Sequence, residues 1–159
     1  MKTRSLTPLR AGLVLVLLGS TAALAHQGAT GIVKERMDQM GGIAKAMKAM
    51  GAMFKGEATY DAEQVRTLAT EIAASGGTNL SVLFPENSLK HPSEARPEIW
   101  NDWDQFTKLA EEMQATAVAL ANGAANPTDG SAGPKPADLF GDLAATCKSC
   151  HQDFRIKKK

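Results

Sequence analysis

Near the end of the chain, "CKSCHQDF" sets Cys147 and Cys150 three positions apart and His151 directly after them. The 159 residues contain no other cysteine. Side chains three and four apart on a helix share a face, so this spacing presents two thiols and an imidazole together, toward the interior. Thiols one turn apart reach the two vinyl groups of a porphyrin and form thioethers, and the adjacent imidazole then ligates the iron. C-x-x-C-H is accordingly the attachment signature for c-type haem. Three other uses compete with it. A Cys147–Cys150 disulfide suits an exported protein, but it would staple one continuous helix and stabilise little. A thioredoxin-like pair belongs at a helix start in a fold with strands. Structural zinc wants four ligands, and His26 and His91 would have to supply the rest from distant positions. The final histidine and the helical setting favour one covalently bound haem c, held through both cysteines.

An iron ligated by His151 leaves its opposite side to be closed or left open. The first long helical segment projects Met37, Met40, Met47, Met50 and Met53. Methionines on an apolar stripe ordinarily fill a core, which is the reading for Met47, Met50 and Met53. Thioethers also select Cu(I), yet these positions follow the core stripe too closely for a copper site to lead.

Four segments with helical periodicity must position these groups. The first runs from about Thr30 to Lys55, with Val33, Met37, Met40, Ala44 and Met47 as its apolar stripe. Lys34, Glu35, Asp38, Lys45 and Lys48 lie opposite, and Gly41 and Gly42 weaken the middle. The second opens at Asp61 with Gln64 three residues on, buries Val65, Leu68, Ala69 and Ile72, and stops near Gly76. The stretch "GTNLSVLFPENSLKHPSEAR" has no sustained period and reads as a pocket-lining loop. A third helix starts at Pro97 and carries Ile99, Trp103, Phe106, Ala110, Met113, Ala117 and Leu120 to Gly123. After the Gly/Pro-rich "GAANPTDGSAGPKP", the fourth presents Phe140, Leu143, Ala144, Cys147, Cys150, His151 and Phe154 on one face. No segment alternates like a strand. The fold class expected is all-α, an antiparallel four-helix bundle.

The N-terminus reads as a secretory signal peptide: basic "MKTRSLTPLR", apolar "AGLVLVLLG", then "ALA". Cleavage after Ala25 leaves residues 26–159 as one domain starting at His26. The apolar run is too short to span a bilayer, so an exported, periplasmic protein with no stable membrane insertion is expected. Losing Lys2, Arg4 and Arg10 from 18 basic and 17 acidic residues leaves a near-neutral chain, which offers no surface for nucleic acid. Neither a phosphate loop nor a nucleophile–base arrangement is visible, so no enzymatic activity is expected.

"KERMDQM", "YDAEQ", "ARPEIW" and "CKSCHQDFR", in that order across the mature chain, resemble the class II cytochromes c: the cytochrome c′ family and its low-spin c-556 branch. The resemblance implies a four-helix bundle with haem near the C-terminus and a distal residue four positions after an arginine on the first helix. Those positions are Arg36 and Met40 here, with Met37 as the fallback. A methionine at that position implies an iron ligated by His151 and Met40, hence a carrier of single electrons between periplasmic redox proteins. An open distal side would instead give a cytochrome c′ that binds nitric oxide or carbon monoxide. The resemblance also suggests Arg36 for a haem propionate, Arg155 as the basic residue beside the proximal ligand, and a possible homodimer. His26 and His91 are read as solvated.

Overall fold

The computed structural model describes residues 28–125 and 133–157. The segment read as a signal peptide, His26 and half of the Gly/Pro-rich connection lie outside the described residues. Six helices follow in order: α1 Gly31–Phe54, α2 Ala62–Ala74, the single turns α3 Thr78–Ser81 and α4 Glu98–Asn101, α5 Trp103–Gly123 and α6 Pro136–Phe154. The four long ones form the expected antiparallel bundle, and no described helix is long and apolar enough to cross a membrane.

Local chemistry sets most of the boundaries. Asp61 caps α2 by accepting a 3.0 Å hydrogen bond from the Gln64 amide, satisfying one of the orphan donors of the first turn. Pro136 stands in the first turn of α6, where its missing N–H costs nothing. At the far end of α2, Gly77 takes φ +56°, and its amide donates 2.8 Å to the Ala110 carbonyl of α5. A Cβ on the neighbouring Gly76 would stand 2.8 Å from Gln114 Cβ and 2.9 Å from its Cα. This glycine pair is what lets the end of α2 lie directly on α5.

The core is built on α5, which packs along both α2 and α6, while α1 leans on α2. Val65, Ile72, Leu120 and Leu143 are completely or almost completely buried along these seams, as are Met50 and Ile99. α1 meets α6 through side chains: the Phe54 and Phe140 rings lie 4.9 Å apart, with no long close backbone seam between the two helices.

Two expectations are corrected. The buried stripe of α1 is Val33, Arg36, Ile43, Ala46, Met50 and Met53, with Met37, Met40 and Met47 half-buried at its edge and Ala44 exposed. The principal neighbour of α1 is α2, and Ile43, Ala46 and Met50 join the buried core cluster. The helix expected from Pro97 is also not continuous. It breaks at Asp102 (φ −134°, ψ 57°), because Trp100 turns inward and its indole N–H donates 3.0 Å to the Phe84 carbonyl. Trp103 is left at the surface, 37 % exposed, and the α5 seam begins at Phe106.

Candidate functional site

Cys147 and Cys150 are free thiols on the last three turns of α6, half-buried against the core cluster. Burial pushes both thiols above the usual range, Cys150 to about 11, with the charges of Cys147 and Asp153 adding to the effect. Thiols used for redox exchange or metal binding are tuned the opposite way, toward the thiolate. Among the described residues no group of three His, Cys, Asp or Glu side chains stands close enough to hold a metal ion, which leaves the zinc reading without ligands there.

His151 does not point into the interior with the two thiols. It lies exposed at the outer edge of their face, because one residue of helix turns the side chain about 100° from Cys150. Lost hydration and then the charge of Arg155 hold its imidazole below the ordinary histidine range. The neutral form, the one that ligates a metal, is favoured.

The α1–α6 contact fixes the level of the opposite wall. A Cβ on Gly51 would lie 3.6 Å from Cζ of Phe140. Eleven residues back along α1 from Gly51 is Met40, and eleven forward along antiparallel α6 from Phe140 is His151. Eleven residues make about three whole turns, so each step keeps its face. Continued as ideal antiparallel helices from that contact, α1 would bring Met40 to about the level of His151, and Met40 is half-buried against the core. Met37 lies one turn earlier, about 60° around the helix from Met40.

Arg36, one turn before Met40, is buried to 4 % exposure. Its Nη1 donates to Ser88 Oγ at 3.1 Å and its Nη2 to the Ser88 carbonyl at 2.6 Å. The guanidinium carbon lies 4.7 Å over the Phe84 ring. Every one of these partners is neutral, and burial lowers the pKa of the guanidinium. A buried cation without a carboxylate is costly and marks a place suited to an anionic group. From Phe84 the rings continue to Phe106 and then Phe154, at 4.8 and 5.5 Å, which ties the Arg36 loop to the last turn of the cysteine helix.

A strap closes this end of the bundle. Ala95 and Arg155 form an isolated antiparallel bridge. The Arg96 amide donates 2.9 Å to the Phe154 carbonyl, and the Ile156 amide 2.8 Å to that of Glu94. Arg155 donates through Nε and Nη2 to Oε2 of Glu94 at 3.0 and 2.6 Å. Arg96 adds a bond to the Asp153 carbonyl at 3.0 Å. The long loop thus grips the helix that carries His151. His91 lies exposed within it.

Paired thiols one turn apart, an imidazole beside them, a half-buried thioether on α1 and an unbalanced buried cation together fit a covalently attached haem. A family model described as Cytochrome C′ matches residues 31–155. This chain belongs to the cytochrome c′ family. Cytochrome c′ of Rhodopseudomonas palustris is 34 % identical over 145 residues, covering 91 % of this chain and 92 % of the relative. A solved structure of cytochrome c′ from that organism has a TM-score of 0.70 at 31 % identity, covering 82 % of this chain and all of the other. Cytochrome c-556 of Agrobacterium tumefaciens is 36 % identical over 131 residues, 80 % of this chain and 99 % of the relative. The nitric oxide complex of a point mutant of cytochrome c prime from Alcaligenes xylosoxidans matches with a TM-score of 0.66 at 30 % identity, covering 79 % and 94 %. Cytochrome c′ family proteins carry covalently attached haem c, and electron transfer or gas binding at that haem is their common business.

Proposed function

We propose that this protein is an exported, periplasmic cytochrome of the family that carries single electrons, with its iron held between His151 and Met40. The observation that supports this reading is a thioether, Met40, half-buried on α1 one turn after the buried Arg36, on the helix that meets α6 through Gly51 and Phe140. When bound, the haem supplies an iron that takes up and returns one electron. The protein's own residues do the rest. Cys147 and Cys150 bond the group to α6, so that it cannot be lost outside the cytoplasm. His151 on α6 and Met40 on α1 would hold the iron, and a thioether ligand would raise its reduction potential. Arg36 offers its fork to a propionate, the anion its buried charge lacks. Two protein ligands would leave the iron no open position for a substrate, and the partners would be redox proteins of the periplasm; pairing of two copies is compatible with the family.

A second reading has specific support: a five-coordinate cytochrome c′ that binds nitric oxide or carbon monoxide on an open distal side. The names of the relatives favour it over the electron carrier, since cytochrome c′ recurs among them and one matched structure is a nitric oxide complex.

Visible and electron-paramagnetic spectra of the haem-loaded protein separate the two. The electron-carrier reading expects low-spin, six-coordinate iron in both oxidation states, slow to take up carbon monoxide. Rapid uptake by the reduced wild type, with no sulfur ligand in its spectrum, would sink the Met40 assignment and leave the gas-binding reading standing.

A further inference from the structure

We infer that Glu94 is a positioning residue for the proximal side: it holds and neutralises the Arg155 guanidinium, and so sets how much positive charge the iron ligated by His151 experiences. The inference rests on the proposed attachment of haem to α6, but not on which residue, if any, closes the distal side.

The geometry gives Arg155 one charged partner. Both its Nε and its Nη2 converge on the single oxygen Oε2 of Glu94. Its backbone amide donates 3.3 Å to the His151 carbonyl, so it begins exactly one helical turn beyond the proximal imidazole. The carboxylate that meets it comes from a segment 61 positions away. That segment is fixed independently of the ion pair by the two strap hydrogen bonds, from Arg96 N and Ile156 N. Main-chain bonds therefore bring Glu94 to Arg155, and the charge pairing follows. The pair is partly open, with 48 % of the Arg155 side chain and 32 % of the Glu94 side chain exposed. Such a pair contributes little to stability. Its effect on a neighbouring charge is a separate matter, because a cation one turn from the proximal ligand favours whichever oxidation state carries less positive charge.

The signs follow. Removing the negative charge in Glu94→Gln leaves Arg155 uncompensated, which favours the reduced protein. Removing the positive charge in Arg155→Gln takes a cation away from the proximal side, which favours the oxidised protein. The double variant restores neutrality. A role limited to clamping the helix predicts something else: both single variants loosen the same strap and shift in the same direction, and the double variant is at least as far displaced.

The test is a spectroelectrochemical titration of wild type, both single variants and the double variant at low and high ionic strength, with intact mass measured first. At low salt and a fixed ambient potential, the ratio of reduced to oxidised protein should rise about threefold in Glu94→Gln and fall about threefold in Arg155→Gln. That is about 28 mV in each direction, at 59 mV per tenfold for one electron. The double variant should lie close to wild type, and all displacements should shrink at high salt. Same-direction shifts in haem-loaded variants would overturn the assignment of Glu94 and leave the haem reading intact. A wild-type mass equal to bare polypeptide would overturn both.

Discussion

Arg36 on α1 is joined to Ser88 of the long loop by two hydrogen bonds, one to the hydroxyl and one, at 2.6 Å, to the main-chain carbonyl. The residues are 52 positions apart, and the contact pins the loop over the half of α1 that carries Met40. Arg36→Met keeps the apolar stem but leaves the buried Ser88 carbonyl without its donor. A buried acceptor left unsatisfied costs about 1–3 kcal/mol. The midpoint of urea unfolding should fall accordingly, whereas Ser88→Ala, which removes only the hydroxyl, should cost about 1 kcal/mol.

Met40 and Met37 separate by spectrum. Met40→Leu should convert a low-spin, six-coordinate iron into a high-spin, five-coordinate one that takes up carbon monoxide, with little change in stability, since the swap nearly conserves volume. Met37→Leu should leave the spectrum unchanged. The reverse pattern would move the distal ligand one turn toward the N-terminus.

Glu98 provides a pH test. Its carboxyl is held below the usual carboxylate range, first by the hydrogen bond from Arg96 and then by a backbone hydrogen bond. A group depressed in the folded state contributes stability above its unfolded pKa, and that contribution disappears as pH falls through the folded value. Glu98→Gln should therefore match wild type in strongly acid solution and lose ground as pH rises through the carboxylate range. Thermal melts from pH 2 to 7 would show it. A constant offset between the two proteins would refute the linkage.

Gly76 has no room for a side chain. Gly76→Ala forces a methyl against the backbone of Gln114, and neither helix can yield without opening the α2–α5 seam. Overpacking of this kind costs about 1–3 kcal/mol or more. Gly42→Ala, whose Cβ would meet nothing within 4 Å, should instead stabilise α1 by a few tenths to about 1 kcal/mol. Denaturant titration of the pair checks both signs.

Much of this molecule was readable before any coordinates, because its determinants are local. The four long helices announced themselves through apolar residues every three or four positions and through Asp61, Gly76 and Gly123 near their ends. The thiols and the imidazole did so through their spacing. What stayed hidden depends on partners far along the chain. Nothing near Arg36 indicates that it faces inward, since its bond is to Ser88 and its ring contact to Phe84. The break at Asp102 follows from Trp100 turning to the Phe84 carbonyl, and the continuous pattern of apolar residues from Ile99 onward disguised it. The strap between Glu94–Arg96 and Phe154–Ile156 involves main-chain groups, which carry no sequence signal. His151 was expected inside with the cysteines, yet the packed face of α6 is narrower than the arc the three residues span.

The uneven packing of the four helices has a dynamic consequence. α5 is gripped on two sides, whereas α1 rests on α2 and touches α6 chiefly through Phe54 and Phe140. Local opening follows the least-anchored element, so the amides of α1 should exchange with deuterium at a lower free energy than those of α5. The wall that carries the cysteines then belongs to the stiff part of the molecule and the opposing wall to the part that breathes.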